Sequence, residues 1–129
     1  MSTISEKDVV SFGADSVVIR NYVGGIVGGK ALDCTGYTED VINAGHLVIR
    51  DTINGTYKPM PLNESKTGYA AKPENHEYAG VVVASKPTAE PLVGIMYAGE
   101  VNDKAVPYSV DSLKAAIKAD LPALTFLHD

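Results

Sequence analysis

The stretch that most resembles a chemical motif is glycine-rich and lies near the N-terminus, Gly24-Gly25-Ile26-Val27-Gly28-Gly29-Lys30. It has the G-x-x-x-x-G-K spacing of a phosphate-binding loop, in which backbone N–H groups and the lysine surround phosphates. However, Ala31 stands where the motif needs a Ser or Thr hydroxyl to bind Mg²⁺, and no apolar helical stripe follows it. The stretch therefore predicts a glycine loop between strands, with a small nucleotide-binding enzyme using Gly24–Lys30 as an alternative.

Other residue types that catalyse reactions or bind metals are isolated along the chain. His46, His76 and His128 have no second candidate ligand at the spacing of a zinc site. The sequence indicates no His partner that would activate Cys34, and the neighbouring side chains of Glu39-Asp40 would point to opposite faces of a strand. We therefore expect no catalytic residue, no metal ligand and no cofactor, and a protein that is not an enzyme.

Length and charge narrow the possible partners. The 129 residues are the size of one domain. The 16 acidic and 11 basic residues give a net charge of −5, which disfavours nucleic acid as a partner. No apolar run approaches the ~20 residues of a membrane span, and the N-terminus lacks the apolar stretch of a signal peptide. We expect a protein that is made in the cytoplasm and binds neither nucleic acid nor membrane.

Short β-branched and aromatic runs between turn residues predict a mainly β fold. Asn54-Gly55 is a hairpin signal, and Pro59 and Pro61 place the following strand at a sheet edge. The polar connection Asn63–Glu77 is longer than usual, which predicts a mobile or an interaction loop. The predicted strands are Val17–Val23, His46–Asp51, Thr56–Met60, Tyr78–Ser85, Leu92–Ala98 and Leu124–Leu127.

One helix is predicted after Pro107, with Ser109 or Asp111 as its N-cap and Pro122 ending it. One apolar stripe runs along this helix at positions Val110, Leu113, Ile117 and Leu121. The fold class is therefore mostly β (α+β), a small barrel- or sandwich-like domain over residues 16–129. We expect its single short C-terminal helix to pack over an open side of the sheet.

The first 15 residues are expected to form a flexible, extended N-terminal arm. The apolar residues Val9, Val10 and Phe12 lie on this polar segment, which is unlikely to fold alone. One interpretation is a frayed terminus. The other is a tether that adds a strand to the edge of a partner's sheet, where backbone hydrogen bonds supply the affinity.

The second half of the chain, from about Ile42 to Leu127, resembles the head-decoration proteins of bacteriophages, the lambda decoration-protein type. It is also similar to head proteins of phages that infect Bacteroides. The likeness lies in the order of a turn leading into a strand, two buried strands, an acidic turn, a helix and a last strand. The matching stretches are Ile42–Arg50 with Tyr57–Met60, Tyr78–Ala84 with Val93–Met96, and Gly99–Asn102 with Val106–Tyr108 and Leu124–Leu127.

This resemblance implies a virion protein on the exterior of the phage head. It implies a compact β domain that forms a homotrimer at three-fold positions of the shell. It also implies that the arm joins a strand of the major capsid protein, which the position of Val9, Val10 and Phe12 fits. A head-fibre base or adaptor is an alternative, with Asn63–Glu77 as the projecting element and a possible contact to a host surface. A cell-surface carbohydrate module is disfavoured by the absence of Trp and of a signal peptide.

Overall fold

The computed structural model describes residues 17–127. Its centre is a six-stranded sheet with the order β1-β9-β6-β4-β5, and β10 pairs with β9 beside this path. All neighbours are antiparallel except β10 and β9, which run parallel. The strands are β1 Ile19–Gly25, β4 Leu47–Asp51, β5 Tyr57–Pro59, β6 His76–Val82, β9 Ile95–Asn102 and β10 Leu124–Leu127.

Two short ribbons and a helical segment near the C-terminus complete the described part of the fold, and Val17 and Val18 are also helical. A 3₁₀ turn, Asp111–Leu113, leads directly into the helix α1, Lys114–Asp120. Within residues 17–127, no helix has the length and apolar character needed to cross a membrane. The ribbons pair β2 Lys30–Ala31 with β8 Leu92–Val93, and β3 Val41–Ile42 with β7 Lys86–Pro87.

Strand β9 organises the sheet because different partners use different parts of it. Strand β6 pairs with β9 only at Val81 and Val82, whereas β10 pairs with Gly99–Asn102. Glycines with positive φ stand where the backbones come closest, at Gly80 (φ 150°) and Gly99 (φ 145°). A Cβ at Gly80 would collide with the carbonyl oxygen of Met96, and one at Gly99 with that of Asn21. The close approach of these strands therefore requires glycine.

The central strands are buried on both faces. Because side chains alternate along a strand, Leu47 and Ile49 of β4 face α1, while Val48 faces the ribbons. The core beneath the helix also contains Met60, Met96, Val101, Val110, Ile117 and Leu124. The core beneath the ribbons consists of Leu32, Ile42, Val48, Val82, Val93 and Ile95.

The predicted fold class is confirmed, because the molecule is mostly β with one short C-terminal helix. Of the two expected architectures, the structure has the sandwich-like one, since the sheet is not closed into a barrel. The apolar stripe of the helix also lies as predicted, with Val110 and Ile117 fully buried. The predicted N-cap was wrong: Val110 precedes the 3₁₀ turn and Leu113 precedes α1, and neither has a side-chain capping hydrogen bond. The Ser109 hydroxyl accepts only a local hydrogen bond from the Asp111 N–H at 3.3 Å.

Several predicted boundaries are different in the structure. Gly94 divides the predicted strand Leu92–Ala98, so that Leu92 belongs to a ribbon and β9 continues to Asn102. The first strand starts two residues later than predicted and includes Gly24 and Gly25. The long polar connection is shorter, because β6 begins at His76 and a β-bridge joins Leu62 to Tyr69.

Candidate functional site

The arm residues Val9, Val10 and Phe12 lie outside the described residues, so their role stays a prediction. The described chain begins immediately before β1, an outer strand of the sheet. Val18 is buried in the core beneath the helix, and its Cγ1 would lie 2.6 Å from a Cβ at Gly45. Residues 1–15 therefore precede, in the chain, the segment that leads into β1.

The glycine-rich stretch connects β1 to β2, as the sequence predicts. Gly28 and Gly29 have positive φ values of 78° and 72°, and the Ile26 N–H donates to the Ile95 carbonyl at 2.9 Å. Lys30 starts a strand instead of a helix, and its ammonium group lies 5.5 Å from the centre of the Tyr57 ring. The strand-loop-helix arrangement of a phosphate-binding loop is not formed at Gly24–Lys30.

The two described histidines, His46 and His76, have separate surroundings. His46 is buried among the rings of Tyr37, Tyr69 and Tyr108, with centroids 5.2 to 5.7 Å away. Its Nε2 is 2.9 Å from the Met60 carbonyl oxygen, and burial lowers the pKa of His46 to about 4. His76 Nδ1 lies 2.8 Å from the Glu74 carbonyl oxygen. Among residues 17–127, no three His, Cys, Asp or Glu side chains are grouped to hold a metal ion.

Cys34, Glu39 and Asp40 are the remaining residues that the sequence offered as candidates for chemistry. Cys34 is half-buried, and burial raises the pKa of its thiol, which disfavours the nucleophilic thiolate. The Glu39 carboxylate lies 4.0 Å from the Lys66 ammonium group. The backbone carbonyl of Asp40 accepts hydrogen bonds from the N–H and hydroxyl of Thr88.

Five exposed apolar residues lie on or near β1, and we refer to them together as the β1 surface. Its members come from β1, the glycine loop, β8 and β9, and each is between 44% and 97% exposed. They are Tyr22, Val23, Val27, Leu92 and Tyr97. The Tyr97 ring packs 3.7 Å from the position a Cβ would take at Gly24, so the aromatic side chain lies across the glycine. Exposed apolar residues mark an interaction site where they form one patch, and Tyr97 and Gly24 show such an approach between β9 and β1.

A cleft of about 300 Å³ lies on the opposite side, next to β5, and we name it the β5 cleft. Segment 33–38 forms one wall, and loop residues 61–73 form the other. The polar lining residues are Asp33, Thr35, Thr38, Lys58 and Lys66, and the apolar ones are Tyr37, Ile49, Pro59, Pro61, Leu62 and Pro73. Polar and apolar groups of this kind, meeting in one concave site, suit a small ligand.

Backbone and side-chain contacts hold both walls of the β5 cleft. The Asp33 N–H donates to the Tyr57 carbonyl at 2.8 Å, which places the Asp33 carboxylate beside β5. Hydrogen bonds from the Thr35 hydroxyl and N–H lower the pKa of Asp33, so its carboxylate is ionised at neutral pH. The Lys66 ammonium group donates to the Thr38 hydroxyl and thereby joins the two walls.

The sequence interpretation did not find the β5 cleft, because its walls are about 25 residues apart in the chain. Local signals were nevertheless present. Asp33-x-Thr35 is a typical turn in which the carboxylate accepts hydrogen bonds from residues just beyond it, and three prolines at 59, 61 and 73 fix the backbone opposite. No protein-family model, no curated protein and no solved structure shows a significant match to the chain.

Proposed function

We propose that this protein decorates the outside of a bacteriophage head and stabilises the shell without catalysing a reaction. In this proposal it binds the major capsid protein, and arm residues 1–15 add a strand to a sheet of that partner. The observation that carries the proposal is the β1 surface. Exposed apolar side chains lie along an outer strand that the arm directly precedes.

The order of elements supports the same proposal. From Leu47 onward the longer elements are β4, the buried strands β6 and β9, a turn, a helix and the closing strand β10, with the short strands β5, β7 and β8 between them. The turn after β9 carries Asp103, whose carboxylate pairs with the Lys114 ammonium group at 2.6 Å. This is the order that the resemblance to head-decoration proteins implies for residues 42–127.

Mass action explains how such a protein would stabilise a shell. A partner that binds only the assembled state lowers the free energy of that state by an amount that increases with its concentration. An arm that orders on binding loses conformational entropy, which limits the affinity of each copy. A homotrimer presents three arms to one shell, and this multivalency raises the total affinity.

Co-sedimentation with heads of the source phage, stripped of accessory proteins, tests the proposal. We expect saturable binding at a fixed ratio to the major capsid protein, and shells that withstand higher temperature once they are saturated. Absence of binding by the folded protein would overturn the proposal.

Two variants and one control test whether the arm and the β1 surface bind the shell. Deletion of residues 2–15 should leave the melting temperature of the domain unchanged and weaken shell binding at least tenfold. Val23→Asp on the β1 surface should also weaken binding, whereas Ile53→Asp should not. Ile53 is a matched control because it is equally apolar, 73% exposed, and lies in the turn after β4 instead of on β1. Equal binding of all variants would contradict the assignment.

A further inference from the structure

We propose that the β5 cleft binds one neutral sugar residue, with the Asp33 carboxylate and the Lys58 ammonium group sharing its hydroxyls. This site is separate from the β1 surface and does not depend on the proposed function. Its basis is the arrangement of one acceptor, one donor and an apolar wall around a space of about 300 Å³.

The Asp33 carboxylate is a fixed acceptor. Its Oδ1 accepts the Thr35 N–H at 3.0 Å and the Thr35 hydroxyl at 2.7 Å. Within residues 17–127, no group donates to Oδ2. One carboxylate oxygen therefore holds the side chain in place, and the other is available to a ligand.

Lys58 supplies the donor. Within the described part of the chain, no carboxylate lies within 4.0 Å of its ammonium group, although the charge of Lys58 contributes to the lowered pKa of Asp33. An ammonium group has three donors and no acceptor, whereas an ionised carboxylate only accepts. A hydroxyl does both, so a pair of adjacent sugar hydroxyls matches this pair of groups, with each hydrogen bond strengthened by a charge.

The balance of charge favours a neutral ligand. Asp33 is opposed by Lys58, and Lys66 lies 4.0 Å from the Glu39 carboxylate and donates to Thr38. The lining itself has two lysines and one carboxylate, and the charges balance once Glu39, which lies outside the lining beside Lys66, is included. A charged ligand would lose its hydration without gaining a full ion pair.

The apolar lining fits the C–H face of a sugar ring. Tyr37 lies in one wall and packs edge-to-face with the buried His46, with centroids 5.4 Å apart. Tyr37 is also a lining residue of the cleft, and it is an aromatic side chain in a chain without Trp. Pro59 and Pro61 make the facing wall rigid, and a ligand then binds without ordering either wall.

A site of this size with few polar groups binds one sugar weakly, with a Kd on the order of millimolar. Many copies on one particle would convert such binding into firm attachment to a polysaccharide. This last step alone depends on the proposed function, whereas binding of a monosaccharide by the free protein does not.

Ligand-observed NMR on the full chain tests the site, with methyl glucoside, methyl galactoside, methyl mannoside and methyl glucuronide as probes. We expect saturation transfer to at least one neutral hexoside and no tighter binding of the glucuronide. In the ¹⁵N-labelled protein, the same hexoside should shift the amides of Asp33, Thr35 and Lys58. Each hexoside is tested at about 20 mM, which exceeds a Kd on the order of millimolar by about tenfold or more. Absence of binding by all neutral hexosides would overturn the proposal. Amide shifts that occur only outside the cleft would overturn it as well.

Matched lysine substitutions provide the second readout. Lys58→Met keeps the aliphatic chain and removes the donor, and we expect at least tenfold weaker hexoside binding. Lys104→Met changes an exposed lysine in the turn after β9 and should bind as the wild type does. Unchanged binding in the Lys58→Met protein, or glucuronide binding ten times tighter than that of its neutral analogue, would contradict the shared-hydroxyl site.

Discussion

The two outer edges of the central sheet are built in opposite ways. The β5 edge is three residues long, contains Pro59, and is followed by Pro61 and a loop that a Leu62–Tyr69 bridge holds together. The β1 edge is seven residues long, has no proline and exposes Tyr22 and Val23. Within residues 17–127, β1 pairs only with β9.

The difference between the two edges indicates that one supports the stability of the fold and the other is suited to binding. Proline and a covering loop prevent further strands from adding to an edge, and the β5 edge has both. A long edge strand with exposed apolar side chains is a risk of aggregation unless a partner covers it. The β1 edge has neither protection, although its pairing with β9 shifts register at three points, which itself opposes the addition of a further strand. We infer that a partner would bind at this edge, whereas the β5 edge contributes to the core.

The largest expected effect is on stability at the β5 edge. Met60 follows β5, has no exposed side-chain surface, and donates its N–H to the Leu47 carbonyl at 2.8 Å. Met60→Ala would leave a cavity in the core beneath the helix and lower the free energy of unfolding by about 3 kcal/mol. Urea unfolding measures this change.

Val23→Ala at the β1 edge is the matched control for Met60→Ala. Its side chain is 67% exposed, so we expect a change within about 0.5 kcal/mol. Similar losses in the two variants would show that the β1 edge is packed as tightly as the β5 edge and would remove the distinction between them.

The second prediction concerns acid, again beside the β5 edge. Burial lowers the pKa of His46 from 6.5 to about 4, although the Met60 carbonyl opposes this shift. The unfolded chain therefore takes up a proton below pH 6.5 that the folded chain takes up only near pH 4. The free energy of unfolding should decrease by about 3 kcal/mol as the pH falls from 7 to 4.

Urea unfolding at several pH values measures this dependence, with His46→Phe as the control. The phenylalanine ring does not titrate, so the stability of the variant should change less between pH 7 and pH 4. The neighbouring Tyr37, Tyr69 and Tyr108 stay uncharged in this range, since burial raises the pKa of all three. Parallel curves for the two proteins would assign the acid sensitivity to other groups.

Local signals in the sequence predicted the β5 edge better than the β1 edge. Asn54-Gly55 gave the β4–β5 hairpin, in which Gly55 has a φ of 78°, and Pro59 indicated an edge strand. These features depend on neighbouring residues alone. The helix was predictable for the same reason, because its apolar stripe repeats within eleven residues.

Features that depend on distant residues were not predictable. The parallel pairing of β10 with β9 joins segments more than twenty residues apart, and nothing in Leu124–Leu127 specifies the direction of its neighbour. The division of the strand at Gly94 depends on the ribbon partner of Leu92. The β5 cleft likewise combines distant residues, since the hydrogen bond from the Asp33 N–H to the Tyr57 carbonyl places segment 33–38 beside β5.

The variant with the smallest expected effect on stability, Val23→Lys, tests directly whether further strands add to β1. Val23→Lys places a charge on β1, which opposes the addition of another strand. Because Val23 is exposed, the free energy of unfolding should change by less than about 0.5 kcal/mol. We expect the wild type to self-associate through the open β1 edge at high protein concentration, and Val23→Lys to associate less, which sedimentation velocity measures; a wild type that stays monomeric would contradict the open edge. Ile53→Lys changes an exposed residue away from β1 and should associate as the wild type does. An equal decrease of self-association in both variants would mean that the added charge, not the β1 edge, determines the association.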